Sequence, residues 1–135
     1  MDDLNGAAPS REELYYELAK SIADDNSLVL DGWKNLVLVS QFDDSGPDMN
    51  GFCYTEDGRT IPIAPRNFEI FDVIEALRDA MARADGKSRW LAALFRVNRA
   101  SGAFETDFEY HDPERWRVTP ANVQARAQEF ARYSA

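Results

Sequence analysis

The feature that most constrains the fold is a strict alternation of aromatic and acidic residues in the segment 103–110. One parity carries three aromatic residues and a threonine: Phe104, Thr106, Phe108 and Tyr110. The other parity carries three carboxylates: Glu105, Asp107 and Glu109. Because side chains alternate faces along a strand, this pattern predicts a β-strand with one aromatic and one acidic face. Repulsion within the acidic row disfavours the strand, so we expect burial of the aromatic face to stabilise it.

The size and charge of the chain restrict the classes of function. Its 135 residues suffice for one domain with a sizeable core, which we place at 10–135 after a disordered tail of residues 1–9. The net charge of −9 argues against binding of nucleic acid or an anionic membrane through a basic patch, and suits a basic partner or simply solubility. A single cysteine excludes an internal disulfide, and no apolar run has the length of a membrane span. We therefore expect a soluble, cytoplasmic protein.

Hydrophobic periodicity and turn residues predict both helices and strands. The predicted helices are 10–24 with a capping box at Ser10 and Glu13, 67–86 with Asn67 as N-cap, and a last helix starting at Thr119 and Pro120. The predicted strands are 36–42, 52–55, 59–63, 90–97 and 103–110, with an acidic turn or loop at 43–48. Strands joined by short turns pair antiparallel. The fold class is therefore α+β, an antiparallel sheet of about four to five strands with helices packed mainly on one face.

The two predicted central strands, 36–42 and 90–97, carry apolar residues on both parities, so both faces of the sheet need cover. Either the last helix covers part of the second face, or an apolar patch rimmed by acidic residues is exposed. An exposed patch of that kind usually marks a binding site.

No constellation of residues in the sequence points to catalysis, a metal or a cofactor. One cysteine and one histidine cannot form a Cys/His zinc site. The acidic loop fails as a calcium-binding EF-hand, because Gly46 falls where the first carboxylate ligand belongs. Cys53 and His111 fall in separate hairpins without an oxyanion-type motif, which favours a packed cysteine and a strand-end histidine over a nucleophile–base pair. We expect no enzyme activity and no cofactor.

The candidate partner-binding residues are acidic or aromatic. They are the row Glu105, Asp107 and Glu109, the loop carboxylates Asp43, Asp44 and Asp48, and Trp116. Trp116 follows a polar connection, so we expect it to be only partly covered, and tryptophan is enriched in interface hot spots. Trp33 and Trp90 adjoin central strands, which favours a place in the core. For each acidic cluster, a solvated face without a partner is the alternative.

The order of these motifs resembles the YezG-like (DUF600) family of bacterial toxin-immunity proteins. The matching motifs, within 11–117, are Glu13-Leu14-Tyr15 with Ile22, Gly32-Trp33-Lys34, a helix around 70–81, Trp90, Gly102-Ala103-Phe104, Asp107-Phe108-Glu109-Tyr110 and Trp116. The most specific part is the Phe-Glu-Tyr strand followed by a tryptophan. The resemblance implies an immunity protein that binds a cognate toxin domain, in many cases a nuclease, and blocks it by stoichiometric protein–protein inhibition.

A different class of function stays open on the residues alone. A small α+β ligand-binding domain or enzyme would have a pocket between helices and sheet with convergent polar groups. Tyr54, Arg96 and Asp107 are candidates for that pocket by residue type. A compact core without such a pocket would argue against this alternative.

Overall fold

The computed structural model describes residues 8–44, 46–86 and 88–133, so most of the tail predicted at 1–9 lies outside the described residues. The described residues form three helices and five strands: α1 (Arg11–Ala23), β1 (Trp33–Asp43), β2 (Gly46–Thr55), β3 (Thr60–Ile63), α2 (Glu69–Asp85), β4 (Ala92–Asn98), β5 (Phe104–Glu109) and α3 (Val123–Ala131). The strands make one antiparallel sheet in the order β3-β2-β1-β4-β5. The predicted α+β class is confirmed, and β5 lies at an edge of the sheet.

The first face of the sheet, which we call the helix face, is covered by α1 and α2. Helix α1 begins as predicted: Ser10 Oγ accepts a hydrogen bond from the Glu13 N–H (3.1 Å), and the Glu13 carboxylate accepts one from the Ser10 N–H (2.8 Å). The buried stripes of the two helices consist of aliphatic residues: Leu14, Leu18, Ile22, Ile70, Val73, Ile74 and Leu77. Their spacing matches the 3.6-residue period of a helix with one buried face.

The ends of α2 agree with the sequence to within two residues. The helix begins at Glu69, so Phe68 and not Asn67 is its N-cap, and the Asn67 Oδ1 accepts a hydrogen bond from the Glu69 N–H (3.1 Å). It ends at Asp85, and the following Gly86 has a left-handed φ of 64°, which glycine adopts without strain.

The β1–β2 hairpin is longer than the sequence indicated. The predicted acidic loop at 43–48 is wrong over most of its length, because Asp43 pairs with Gly46 and the ladder continues from there. Gly46 has a φ of 102°, a conformation that favours glycine at this turn. Phe42 and Met49 are buried on the helix face, and their burial offsets the low strand propensity of the acidic residues around them.

The second face, which we call the C-terminal face, is covered by the chain that follows β5. Trp116, Val118 and α3 pack there on apolar residues of the central strands: Val37, Val39, Phe52, Tyr54, Ala92 and Leu94. The last helix therefore covers this face, and the alternative of an exposed apolar patch is wrong. Two helices lie on one face of the sheet and the third on the other.

Helix α3 starts later than predicted, at Val123. Two hydrogen bonds join Thr119 and Asn122 in the segment before the helix. The Thr119 N–H donates to Asn122 Oδ1 (2.7 Å), and the Asn122 N–H donates to Thr119 Oγ1 (3.3 Å). These bonds form a turn over the residues that the sequence assigned to the first turn of the helix.

Candidate partner-binding surface

Strand β5 has the two unlike faces that its sequence predicted. On the helix face, Phe104 stacks on Phe95 with ring centroids 5.8 Å apart, and Phe108 lies 5.5 Å from Trp90. The acidic residues alternate with these aromatics and therefore project from the C-terminal face. The residues that cover that face, which are Trp116, Val118 and α3, pack on β1, β2 and β4. Glu105 and Asp107 on β5 therefore stay exposed.

The two exposed carboxylates of β5 have different surroundings. Asp107 pairs with Arg96 of β4 (Oδ2–Nη2 3.3 Å), and 57% of its side chain remains exposed. Glu105 makes no ion pair or side-chain hydrogen bond with any residue that the structure describes. Both carboxylates therefore retain oxygen atoms that a partner's cation could approach.

Glu109, the third carboxylate of the row, stabilises the turn after β5 instead. Its carboxylate accepts hydrogen bonds from the N–H groups of His111 (2.9 Å) and Asp112 (3.0 Å) and from Arg115 Nη1 (2.9 Å). These bonds, the one from His111 first, lower the pKa of Glu109 to about 2. Only 12% of the side chain is exposed, so we assign Glu109 to holding the turn after β5 rather than to a partner.

The hydrogen bonds between β4 and β5 show which backbone groups of β5 are directed outward. The Asn98 N–H donates to the Ala103 carbonyl (3.0 Å), and the Leu91 N–H donates to the Glu109 carbonyl (2.7 Å). Odd-numbered residues of this segment therefore direct their backbone groups toward β4. In an antiparallel pair the intervening residues direct theirs away from the neighbouring strand.

The outward groups of β5 belong to Phe104, Thr106 and Phe108. One of them has a partner, because the Tyr15 hydroxyl of α1 donates to the Phe104 carbonyl (3.3 Å). The same hydroxyl lies 2.6 Å from Thr106 Oγ1. Helix α1 thus binds the edge at one position, and from there no described strand pairs with the outer side of β5.

Two depressions flank β5, one on each face. On the helix face, an apolar cleft of about 270 Å³ lies between α1, α2 and β5, and its lining includes Tyr15, Leu77, Met81 and Phe108. On the C-terminal face, a polar cavity of about 240 Å³ is lined by polar side chains: Asn35, Arg96, Asn98, Ser101, Glu105 and Tyr133. Glu105 thus belongs both to the acidic row and to the wall of the polar cavity.

Two residues that line the polar cavity carry buried polar atoms without described partners. Asn35 is only 4% exposed, yet its Oδ1 accepts no hydrogen bond from any described residue. The Nε of Arg96 is also buried without a described partner, although Nη2 of the same side chain binds Asp107. Nearly all buried polar groups in proteins are hydrogen-bonded, so such atoms call for water or a ligand.

The second predicted acidic cluster lies at the β1–β2 turn. Asp43, Asp44 and Asp48 are all exposed there. Asp43 pairs with Arg117 (Oδ2–Nη2 3.3 Å), and Asp48 Oδ1 accepts a hydrogen bond from the Met49 N–H (2.9 Å). Part of this charge is therefore compensated within the chain.

The sheet register separates the two acidic clusters. Gln41, near the turn, pairs with Ala92, and Ala92 pairs with Glu109 at the end of β5. The turn therefore lies toward the end of β5 that carries Glu109, and Glu105 lies toward the other end. The structure does not combine all six acidic candidates into one surface.

Trp116 is a core residue. The expectation that it is only partly covered is wrong, because 4% of it is exposed and it packs with the apolar residues of the C-terminal face. The Arg115 guanidinium lies 4.7 Å from its ring centroid. The polar sequence around Trp116 concealed this burial, and we remove Trp116 from the binding residues.

Sequence reasoning missed an acidic surface on the helices. The exposed positions of α1 and α2 carry seven carboxylates: Glu12, Glu13, Glu17, Glu69, Asp72, Glu75 and Asp85. The exposed cations of the same two helices are Lys20 and Arg83. The periodicity that identified the buried stripes also identifies these outward positions, so this surface could have been predicted.

The remaining chemical candidates do not come together. Cys53 is buried on β2 and His111 is exposed just after β5, with β1 and β4 between. At about 4.8 Å per strand they are roughly 14 Å apart across the sheet. The Tyr54 hydroxyl donates to the Ala127 carbonyl (2.7 Å) and thereby anchors α3.

Within 8–44, 46–86 and 88–133, no group of three potential metal ligands is found. The same residues contain no helix that is long and apolar enough to cross a membrane.

No protein-family model matches the chain, and a comparison with curated proteins gives no match either. The function of the chain is therefore inferred from its surfaces and from the resemblance of its sequence motifs.

Proposed function

We propose that this chain is an immunity protein, which binds a basic toxin domain and blocks it without turnover. The observation that carries the proposal is the exposed pair Glu105 and Asp107, which projects from an edge strand of the sheet. An edge strand offers a partner backbone groups and side chains together. The resemblance of the sequence to toxin-immunity proteins supports the same function.

The charge of the chain suits a basic partner. Acidic residues outnumber basic ones by 24 to 15, and the exposed carboxylates of α1 and α2 add to the negative field around β5. A toxin that cleaves nucleic acid needs positive surface to bind phosphate. Such a domain would be attracted from a distance, and occupation of its basic surface would exclude the nucleic acid. We place this inhibition in the bacterial cytoplasm.

The test is a titration against the protein encoded immediately beside this one. The C-terminal domain of that neighbour is purified and titrated with the full chain, while light scattering measures the mass of the complex. The nuclease activity and toxicity of the domain are followed in parallel. A one-to-one complex that abolishes them supports immunity. A domain that stays active and unbound at micromolar concentrations of both proteins contradicts it.

A second function is favoured by one observation, the buried Oδ1 of the cavity-lining residue Asn35, which has no described partner. A small polar molecule with a donor for Asn35 Oδ1 and an acceptor for Arg96 Nε would satisfy both buried atoms. The cavity is slightly smaller than a usual ligand site. A panel of free amino acids and nucleosides tests this function by thermal shift. A compound that stabilises the natural chain but not Asn35→Ala supports it, and a panel without effect argues against it.

A further inference from the structure

We infer that the outer edge of β5 takes up an extended segment of the partner, in which one apolar residue lies between two basic residues. The inference rests on the proposed function, because it names the part of the partner that the acidic edge binds. Three features meet around Thr106: outward backbone groups, an apolar cleft on one face and two exposed carboxylates on the other.

The backbone of β5 supplies the first contact. Phe104, Thr106 and Phe108 direct their N–H and carbonyl groups away from β4, so a partner strand can pair with them and extend the sheet. The Phe104 carbonyl already accepts from Tyr15, but a carbonyl oxygen has a second lone pair. Pairing along this edge therefore requires no bond of the sheet to break.

The apolar cleft supplies the second contact. A partner residue directly opposite Thr106 lies on the same face as the Thr106 side chain, which is the helix face. The cleft on that face is about 270 Å³ and is lined by Tyr15, Leu77, Met81 and Phe108. It therefore has room for an aliphatic side chain of the partner.

The acidic row supplies the third contact. The partner residues on either side of the apolar one lie on the C-terminal face, opposite Glu105 and Asp107. Directly opposed side chains have Cβ atoms about 4.5–5.5 Å apart, close enough for a lysine or arginine to pair with each carboxylate. The residue opposite Glu105 also lies beside the polar cavity, because Glu105 forms part of the cavity wall.

A second copy of this chain fits the same edge poorly. If two β5 strands paired antiparallel about Thr106, Glu105 of one copy would lie opposite Asp107 of the other. Like charges directly opposite one another destabilise a strand pair. Charge complementarity therefore favours a basic segment of another protein over self-association.

The first test uses peptides as probes. A labelled, acetylated peptide of alternating lysine and valine is titrated with the full chain at low salt. The controls are a peptide of alternating glutamate and valine, and a peptide with the same lysines and valines arranged in two blocks. We expect the alternating basic peptide to bind at least about tenfold more tightly than either control. Equal binding of the block peptide would show that attraction of charge suffices and would overturn the inference.

The second test is a matched pair of variants, Thr106→Pro and Thr106→Val. Both remove the hydroxyl that meets Tyr15, but only proline removes the outward N–H, and proline is tolerated at an edge position of this kind. We expect Thr106→Pro to bind the alternating peptide at least about tenfold more weakly than Thr106→Val. Equal binding by the two folded variants would overturn the inference.

If Thr106→Pro does not fold, hydrogen exchange measured on the natural chain tests the same inference. In the natural chain, the alternating peptide should slow exchange of the Thr106 and Phe108 amides, because a paired strand protects them. Binding of the peptide without protection at either amide would also overturn the inference.

Failure of this inference can be told apart from failure of the proposed function. If the neighbour's toxin domain binds Thr106→Pro and Thr106→Val equally, the immunity function stands and the edge inference is wrong. If the alternating peptide binds at the edge but the neighbour's domain does not bind at all, the edge inference stands and the immunity function is wrong.

Discussion

Replacing Phe130 by alanine tests whether the C-terminal segment belongs to the core. Phe130 has 0% exposure, and its ring lies 6.0 Å from that of Phe52 on the C-terminal face. Burial of an aromatic side chain removes about 150–250 Å² from water, and at about 25 cal/mol per Å² this gives an upper bound of about 4–6 kcal/mol. Because the remaining void is only partly refilled, we expect Phe130→Ala to lower the free energy of unfolding by about 3–5 kcal/mol.

The matched control for this variant is Phe68→Ala. Phe68 is 73% exposed and its described ring contact is with Phe71, so we expect it to cost less than about 1 kcal/mol. Urea unfolding followed by tryptophan fluorescence and circular dichroism measures both variants, provided that the m-value is unchanged. Equal free energies of unfolding would refute the packing of α3 on the sheet, and Trp116 would again be a candidate for binding.

Three further predictions concern single side chains. Tyr54→Phe removes the hydrogen bond to the Ala127 carbonyl and should lower the free energy of unfolding by about 1 kcal/mol, and an unchanged value in urea unfolding would contradict that bond. Folding lowers the pKa of Glu109 to about 2. The ionised Glu109 carboxylate therefore stabilises the fold fully at pH values above the ordinary carboxyl pKa, and this stabilisation is lost as the pH falls toward 2. The difference in stability between the natural chain and Glu109→Gln should therefore be largest at neutral pH and vanish near the folded pKa, and a difference independent of pH would contradict this. Gly51→Ala should not fold, because the new Cβ would lie 1.9 Å from the Val37 carbonyl oxygen, and a folded variant with the natural melting temperature would contradict this.

The elements with strong local signals could be predicted from the sequence. The capping box at Ser10 and the alternation in 103–110 each depend on residues a few positions apart, and both are in the structure. The β1–β2 turn shows the limit of local signals. Aspartate, glycine and proline there favour a loop, but pairing with the opposite strand and burial of Phe42 and Met49 override that propensity.

Features that depend on distant parts of the chain could not be predicted. Asp25 has the sequence context of an exposed turn, yet it is buried and accepts hydrogen bonds from the N–H groups of Arg66 (2.9 Å) and Asn67 (3.0 Å). The polar cavity likewise joins Asn35 to Tyr133, from opposite parts of the chain. The carboxylates of β5 could be named from sequence, but the internal role of Glu109 depends on Arg115 and on the backbone of the following turn.

The central claim is that the acidic edge of β5 binds a basic partner. The most direct test is the association rate with the neighbour's toxin domain, measured by stopped flow over a range of salt concentrations. The edge variant combines Glu105→Lys and Asp107→Lys. The control variant combines Asp31→Lys, before β1, and Glu56→Lys, in the β2–β3 turn, two exposed positions away from that edge, and changes the net charge by the same amount. We predict that the natural rate falls as salt rises, and that at low salt the edge variant associates at least about tenfold more slowly than the control variant. Equal rates for the two variants would contradict the account, because the net charge alone would then set the rate.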